Sequence, residues 1–229
     1  HIRFSLAVVL GIAIAVDYIS ATKRRISQWL LGLFILFAIV YLHILAAKSG
    51  LLIFYLYALL LLIRLLLNKQ TRKIGGLLLL LLIVLPLVMF NLSNTFRNKI
   101  GYFRYSITMM MNNSKDANVS DEGRLISYGY ALQAIKQHPV KGVGLGDVMD
   151  EMKYAYSRDF PQQEVTVLLP HNQFLMAGMA AGIMGILYLI IMMFGLFLIS
   201  IRKDFLSFAF LLMMLVAMMV EPLFETQYG

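Results

Sequence analysis

The chain has 229 residues, 60% hydrophobic and 14% charged, and its 20 Lys and Arg against 12 Asp and Glu give a net charge of +8. Soluble domains carry roughly 25% charged residues, so this composition excludes one and defines an integral membrane protein. A nucleic-acid binder can show the same basic excess, but here much of it lies in short segments beside apolar runs, and the absence of Cys excludes disulfides and thiolate metal sites.

The chain opens at His1 without an initiator Met, a basic n-region or a cleavage pattern, which reads as a piece of a longer protein. Apolar runs at residues 4–20, 29–47, 51–67, 74–90, 173–201 and 205–220 predict an all-α polytopic membrane protein with about six transmembrane helices. Trp29 stands where an indole prefers the interface, and Pro86 lies near the far end of its run, where a broken backbone bond matters least. The fifth run is too long for one upright helix: about 29 residues make roughly 43 Å against a hydrocarbon core of about 30 Å, so part of it projects, tilts or breaks. Gly178, Gly182 and Gly185, beside Ala177 and Ala181, are small residues spaced to let another helix approach.

The basic clusters Lys23/Arg24/Arg25, Lys69/Arg72/Lys73 and Arg202/Lys203 fall at every second junction, and the positive-inside rule makes that side cytoplasmic. Three regions follow: four spans in 1–90, a large extracytoplasmic loop in 91–170, and two spans with an outward tail in 171–229. In a bacterium the loop then faces the periplasm from the inner membrane.

Within the loop, Leu125, Tyr128, Leu132 and Ile135 recur at helical spacing, Ser120 and Asp121 can cap the start, and Pro139 closes an amphipathic helix. Residues 147–160 read as a second short helix capped by Asp147, and 112–120 as a linker. Gly142-Val143-Gly144-Leu145-Gly146 is a tight turn and not a dinucleotide fingerprint, because no strand precedes it. There is no His/Asp/Glu spacing of a metal site and no Ser-centred elbow, so no metal or cofactor is expected.

Three residues invite a chemical account. Arg124 stands in the first turn of the loop helix, against the dipole; it either pairs with Asp121 or Glu122, or joins free N–H groups in a phosphate or diphosphate site. His171, after Pro170 at the mouth of the fifth span, is either an interfacial capping residue or a base able to take a proton from an acceptor hydroxyl. Asn172 beside it can cap the helix or hold the ring. Lys48, before Ser49-Gly50 at an outward junction, either snorkels or supplies charge to a diphosphate leaving group.

Lys48-Ser49-Gly50, Gly123-Arg124-Leu125, His138-Pro139 through Gly146, and Pro170-His171-Asn172 with Phe174-Leu175 occur in an order that resembles the O-antigen ligase and Wzy-type polymerase family. The resemblance covers the C-terminal half of such a protein. It implies a metal-independent inner-membrane glycosyltransferase of lipopolysaccharide and cell-envelope assembly that moves a glycan from undecaprenyl diphosphate to a hydroxyl of lipid A core, or of another repeat unit in a polymerase. By that resemblance Arg124 and Lys48 bind the diphosphate, His171 acts on the acceptor and Asn172 supports it. Lys48 departs from the pattern, which more often has Arg, and a point charge replaces a bidentate fork. The competing reading is a non-enzymatic transporter or flippase of a polyprenyl-linked glycan. A conduit places charges at mid-membrane, whereas Asp17 and Arg64 lie toward span ends.

Overall fold

The computed structural model describes residues 2–111, 120–161 and 165–224. Among them there is no strand. The helices are α1 (Ile2–Ala21), α2 (Arg25–Leu45), α3 (Lys48–Leu67), α4 (Arg72–Leu92), α5 (Asn94–Met111), α6 (Ser120–Gln137), α7 (Val148–Asp159), α8 (Gln173–Lys203) and α9 (Phe205–Val220). Five of them, α1 to α4 and α8, are long and apolar enough to cross a membrane; α9 is a shorter apolar helix of 16 residues. Trp29, Leu33, Phe37 and Leu77 are all exposed. Water would not tolerate such an apolar girdle, and the chain is a multi-pass membrane protein. Residues 112–119 of the expected 112–120 linker and the capping side chains of Ser120 and Asp121 lie outside what the structure describes, and Ser120 belongs to α6.

The chain divides into two compact units. The first, residues 1–102 with 200–214, packs α1 against α2 and α3, and α3 against α4. Its interior holds Val9, Ile12, Leu42, Ile53 and Tyr57. His43 is also fully buried there, with Nδ1 2.8 Å from the Ile39 carbonyl and Nε2 2.9 Å from the Tyr55 hydroxyl. Both ring nitrogens are satisfied, so this histidine is structural.

The second unit, residues 103–199 with 215–229, has its core in Ala131 and Ala134 of α6, Val148, Met152 and Tyr156 of α7, and Met176 and Met179 of α8. The loop helices α6 and α7 occur where the sequence predicts them, whereas α5 (Asn94–Met111) is a further helix in the loop that the sequence reading does not identify, and the packed face of α6 is different. Of the four residues at helical spacing, Leu125 and Leu132 are exposed and Tyr128 and Ile135 only partly buried, whereas Ser127, Ala131 and Ala134 are buried. Small side chains let the neighbouring helices come close: a Cβ on Gly178 of α8 would lie 2.6 Å from Cδ1 of Ile135. Asp147 stands at the start of α7 but its side chain makes no capping bond.

The long fifth apolar run breaks. Ala181 (φ −135°, ψ 18°) and Gly182 (φ 64°, ψ −154°) interrupt α8, leaving residues 183–203, roughly 30 Å of helix, to match the hydrocarbon thickness. The Gly142 turn repairs the break. Val143 and Gly144 donate their N–H groups to the Met179 and Ala180 carbonyls (2.7 and 3.2 Å), and Ile183 N–H donates to the Pro139 carbonyl (2.8 Å). Backbone meets backbone so closely that a Cβ on Gly142 would lie 2.3 Å from the Met179 oxygen, and one on Gly182 2.5 Å from the Pro139 oxygen. Gly178 thus serves close helix packing, as its spacing suggests, while Gly182 serves a break.

Candidate functional site

The site is built around the start of α8. Asn172 caps that helix: its Oδ1 accepts the N–H groups of Phe174 (2.9 Å) and Leu175 (3.1 Å). Its amide also donates to the Met219 carbonyl (3.2 Å), and the buried Gln173 accepts the Phe224 N–H at 2.8 Å. These two bonds draw the end of α9 and the chain after it onto the start of α8. They bring Glu221 beside His171, with Oε2 3.1 Å from Nδ1 and side chains only 12% and 14% exposed respectively.

Because Asn172 performs the capping, the imidazole is left for another role. A carboxylate at Nδ1 accepts the ring N–H there and leaves Nε2 as the lone-pair nitrogen of the neutral tautomer. On the other side, the Tyr128 hydroxyl donates to the His171 carbonyl at 2.7 Å, fixing the residue's backbone.

Tyr128 stands one helical turn after Arg124 on α6 and feels the charges of both Arg124 and Glu221. Burial is the largest influence and pushes its phenol above the ordinary value, with Glu221 adding to the rise and Arg124 opposing it. Arg124, half-buried, forms no ion pair with Glu122, whose buried Oε2 has no hydrogen-bond partner. The first turn of α6 is held instead through its backbone: the buried Tyr156 hydroxyl donates to the Gly123 carbonyl (3.3 Å), and Ser127 Oγ donates to the Arg124 carbonyl (2.7 Å).

The second unit therefore gathers a guanidinium, a phenol, an imidazole and a carboxylate, with Asn172 supporting them. Lys48 belongs to the first unit, where it opens α3 with its ammonium 5.4 Å from the centre of the Tyr102 ring. Glu221 and Tyr128 escape a reading of the sequence as functional groups. The available signals were an acid before Pro222 at a span end and a tyrosine four residues after Arg124. Among the described residues no group of three His, Asp or Glu gathers as a metal site.

A multi-pass helical membrane protein with a cation, a histidine and an orienting acid collected at the ends of its helices has the features of a group-transfer enzyme. The O-antigen ligase family matches residues 33–190, and the chain belongs to that family. Membership carries a glycosyltransferase-type function in glycan assembly within a membrane. No curated protein matches the chain. The matched region contains Lys48, Arg124, His171 and Asn172; Glu221 lies beyond it.

Proposed function

We propose that the protein transfers a glycan from undecaprenyl diphosphate to an acceptor hydroxyl at the extracytoplasmic face of the bacterial inner membrane. The acceptor is lipid A core in a ligase or a further repeat unit in a polymerase. The observation that carries the reading is the His171–Glu221 contact, made by a residue matched to a family of glycan-joining enzymes. Nε2 of His171 accepts the hydroxyl proton as the acceptor oxygen bonds to the anomeric carbon, and Glu221 stabilises the resulting imidazolium. The anomeric carbon–oxygen bond breaks, and its electron pair leaves with the diphosphate. Arg124 offers two parallel donors to those oxygens. A lipid diphosphate is already a good leaving group, so cations and a base suffice without a metal.

The three basic clusters at alternate junctions support an orientation with 91–170 outside. The test is to incubate the full-length protein with undecaprenyl-diphosphate glycan and either lipid A core or repeat-unit acceptors, with a chelator present. Transferred product in the wild type and its loss in His171→Ala are expected. Transfer that needs an added metal, or that survives in the variant at the wild-type rate, rejects the mechanism.

A further inference from the structure

At the other end of α3 from Lys48, the first unit contains a cavity of about 240 Å³ whose lining includes Asp17 and Ser20 of α1, Tyr57 and Arg64 of α3, Asn68, and Phe205 of α9. Asp17 and Arg64 both face it, yet they do not pair with each other: no ion pair joins them, and the Arg64 guanidinium lies instead over the Phe205 ring, 4.6 Å from its centre. Tyr57, 2% exposed, is within electrostatic reach of both charges. Two opposite charges left apart on one cavity wall match a ligand carrying the complementary pair, an anionic group for Arg64 and a cationic donor for Asp17.

Three further observations narrow the ligand. The cavity is smaller than the roughly 300–1,000 Å³ of drug-sized sites, so it excludes an oligosaccharide or a nucleotide and suits a headgroup. The rest of the wall is mainly aliphatic side chains of α1 and α3, both apolar enough to span a membrane. Finally, Lys23–Arg25, Lys69, Arg72, Lys73, Arg202 and Lys203 lie on the segments that adjoin the cavity-lining ends of the helices, a surrounding that draws phosphate.

We propose that this cavity seats the headgroup of a phospholipid bearing an aminoethyl phosphate, with the phosphate on Arg64 and the ammonium on Asp17. A quaternary choline has no N–H to donate to the carboxylate, and a glycerol headgroup brings no positive charge to it, so both bind more weakly. None of its lining residues is among those assigned to the transfer chemistry. It would tie the basic end of the first unit to the composition of the adjoining leaflet.

The full-length protein, delipidated in mild detergent, is exposed to an equimolar mixture of phosphatidylethanolamine, phosphatidylcholine and phosphatidylglycerol and examined by native mass spectrometry. Phosphatidylethanolamine should be retained about tenfold over each of the others, the ratio expected of one lost charge-assisted contact. Asp17→Asn should bring it level with phosphatidylcholine, and Arg64→Gln should remove retention of both. Equal retention of all three lipids by the wild type overturns the proposal, as does a preference for phosphatidylglycerol. Water-soluble O-phosphoethanolamine separates the sources: failure to displace the lipid supports a lipid site, and full displacement overturns it in favour of a soluble ligand.

Discussion

Nδ1 of His171 lies 3.1 Å from Oε2 of Glu221, a residue fifty positions further along the chain. The contact exists because Asn172 and Gln173, the next two residues, bond the chain at Met219 and Phe224 on either side of Glu221. A histidine at the mouth of a helix thereby gains a carboxylate partner at Nδ1, while the capping task falls to its neighbour.

His171→Ala is expected to lose about 10²- to 10⁴-fold in transfer rate with donor binding retained, the usual contribution of a general base. Glu221→Gln keeps an acceptor near Nδ1 but removes the charge that supports the imidazolium, so it should lose rate in the same direction with helix content unchanged. Near-normal turnover in His171→Asn, measured beside donor binding, would dismiss the base assignment.

Arg124→Ala should reduce transfer by roughly 10²- to 10³-fold, as loss of one preorganised donor to a developing oxyanion does. Arg124→Lys preserves the charge but not the fork and should fall between the two. Titration of donor lipid against both variants checks whether the loss tracks diphosphate contact; wild-type rates in both would remove Arg124 from the site.

Gly182→Ala and Gly142→Ala should each destabilise the second unit by about 1–3 kcal/mol from backbone conformation alone, since both glycines have positive φ, and by more from the clash across the α8 break. Gly129→Ala provides the contrast: it meets nothing within 4 Å on α6 and should be neutral or stabilising by about 0.5–1 kcal/mol. Thermal melts followed by circular dichroism rank the three. Equal melting temperatures would mean that the turn does not support the break.

Burial pushes the phenols of Tyr128, Tyr130 and Tyr156 above their ordinary value, with the Asp159 carboxylate adding to the rise at Tyr130. A raised folded value favours the protonated form, so this stabilisation is complete below about pH 10 and is lost as pH rises beyond it through the folded value. Melting temperature should therefore decline above pH 10, and Tyr128→Phe should reduce the decline. An unchanged slope in the variant would show that the Tyr128 phenol does not ionise with unfolding.

The orientation can be read from a single thiol, because the chain has no Cys. Tyr154→Cys, on an exposed position of α7, should react with a membrane-impermeant thiol reagent in intact spheroplasts. Labelling only after lysis would place residues 91–170 on the opposite side from the one proposed.

Hydrophobic run length locates the five helices long and apolar enough to cross a membrane, and the shorter apolar α9, because that property is local. Helical spacing and turn residues likewise locate α6, α7 and the Gly142 turn, and an arginine at a helix start or a histidine at a span mouth is conspicuous without a structure. Three features required the tertiary fold. The packed stripe of α6 runs through Ser127, Ala131 and Ala134 because close approach by neighbouring helices rewards small side chains over the larger Leu125 and Leu132. The break at Ala181 and Gly182 is tolerated because backbone groups from Pro139 to Gly144 replace its lost hydrogen bonds. Glu221 reaches His171 only through bonds between segments far apart in the chain, a relationship that neither residue's local sequence specifies.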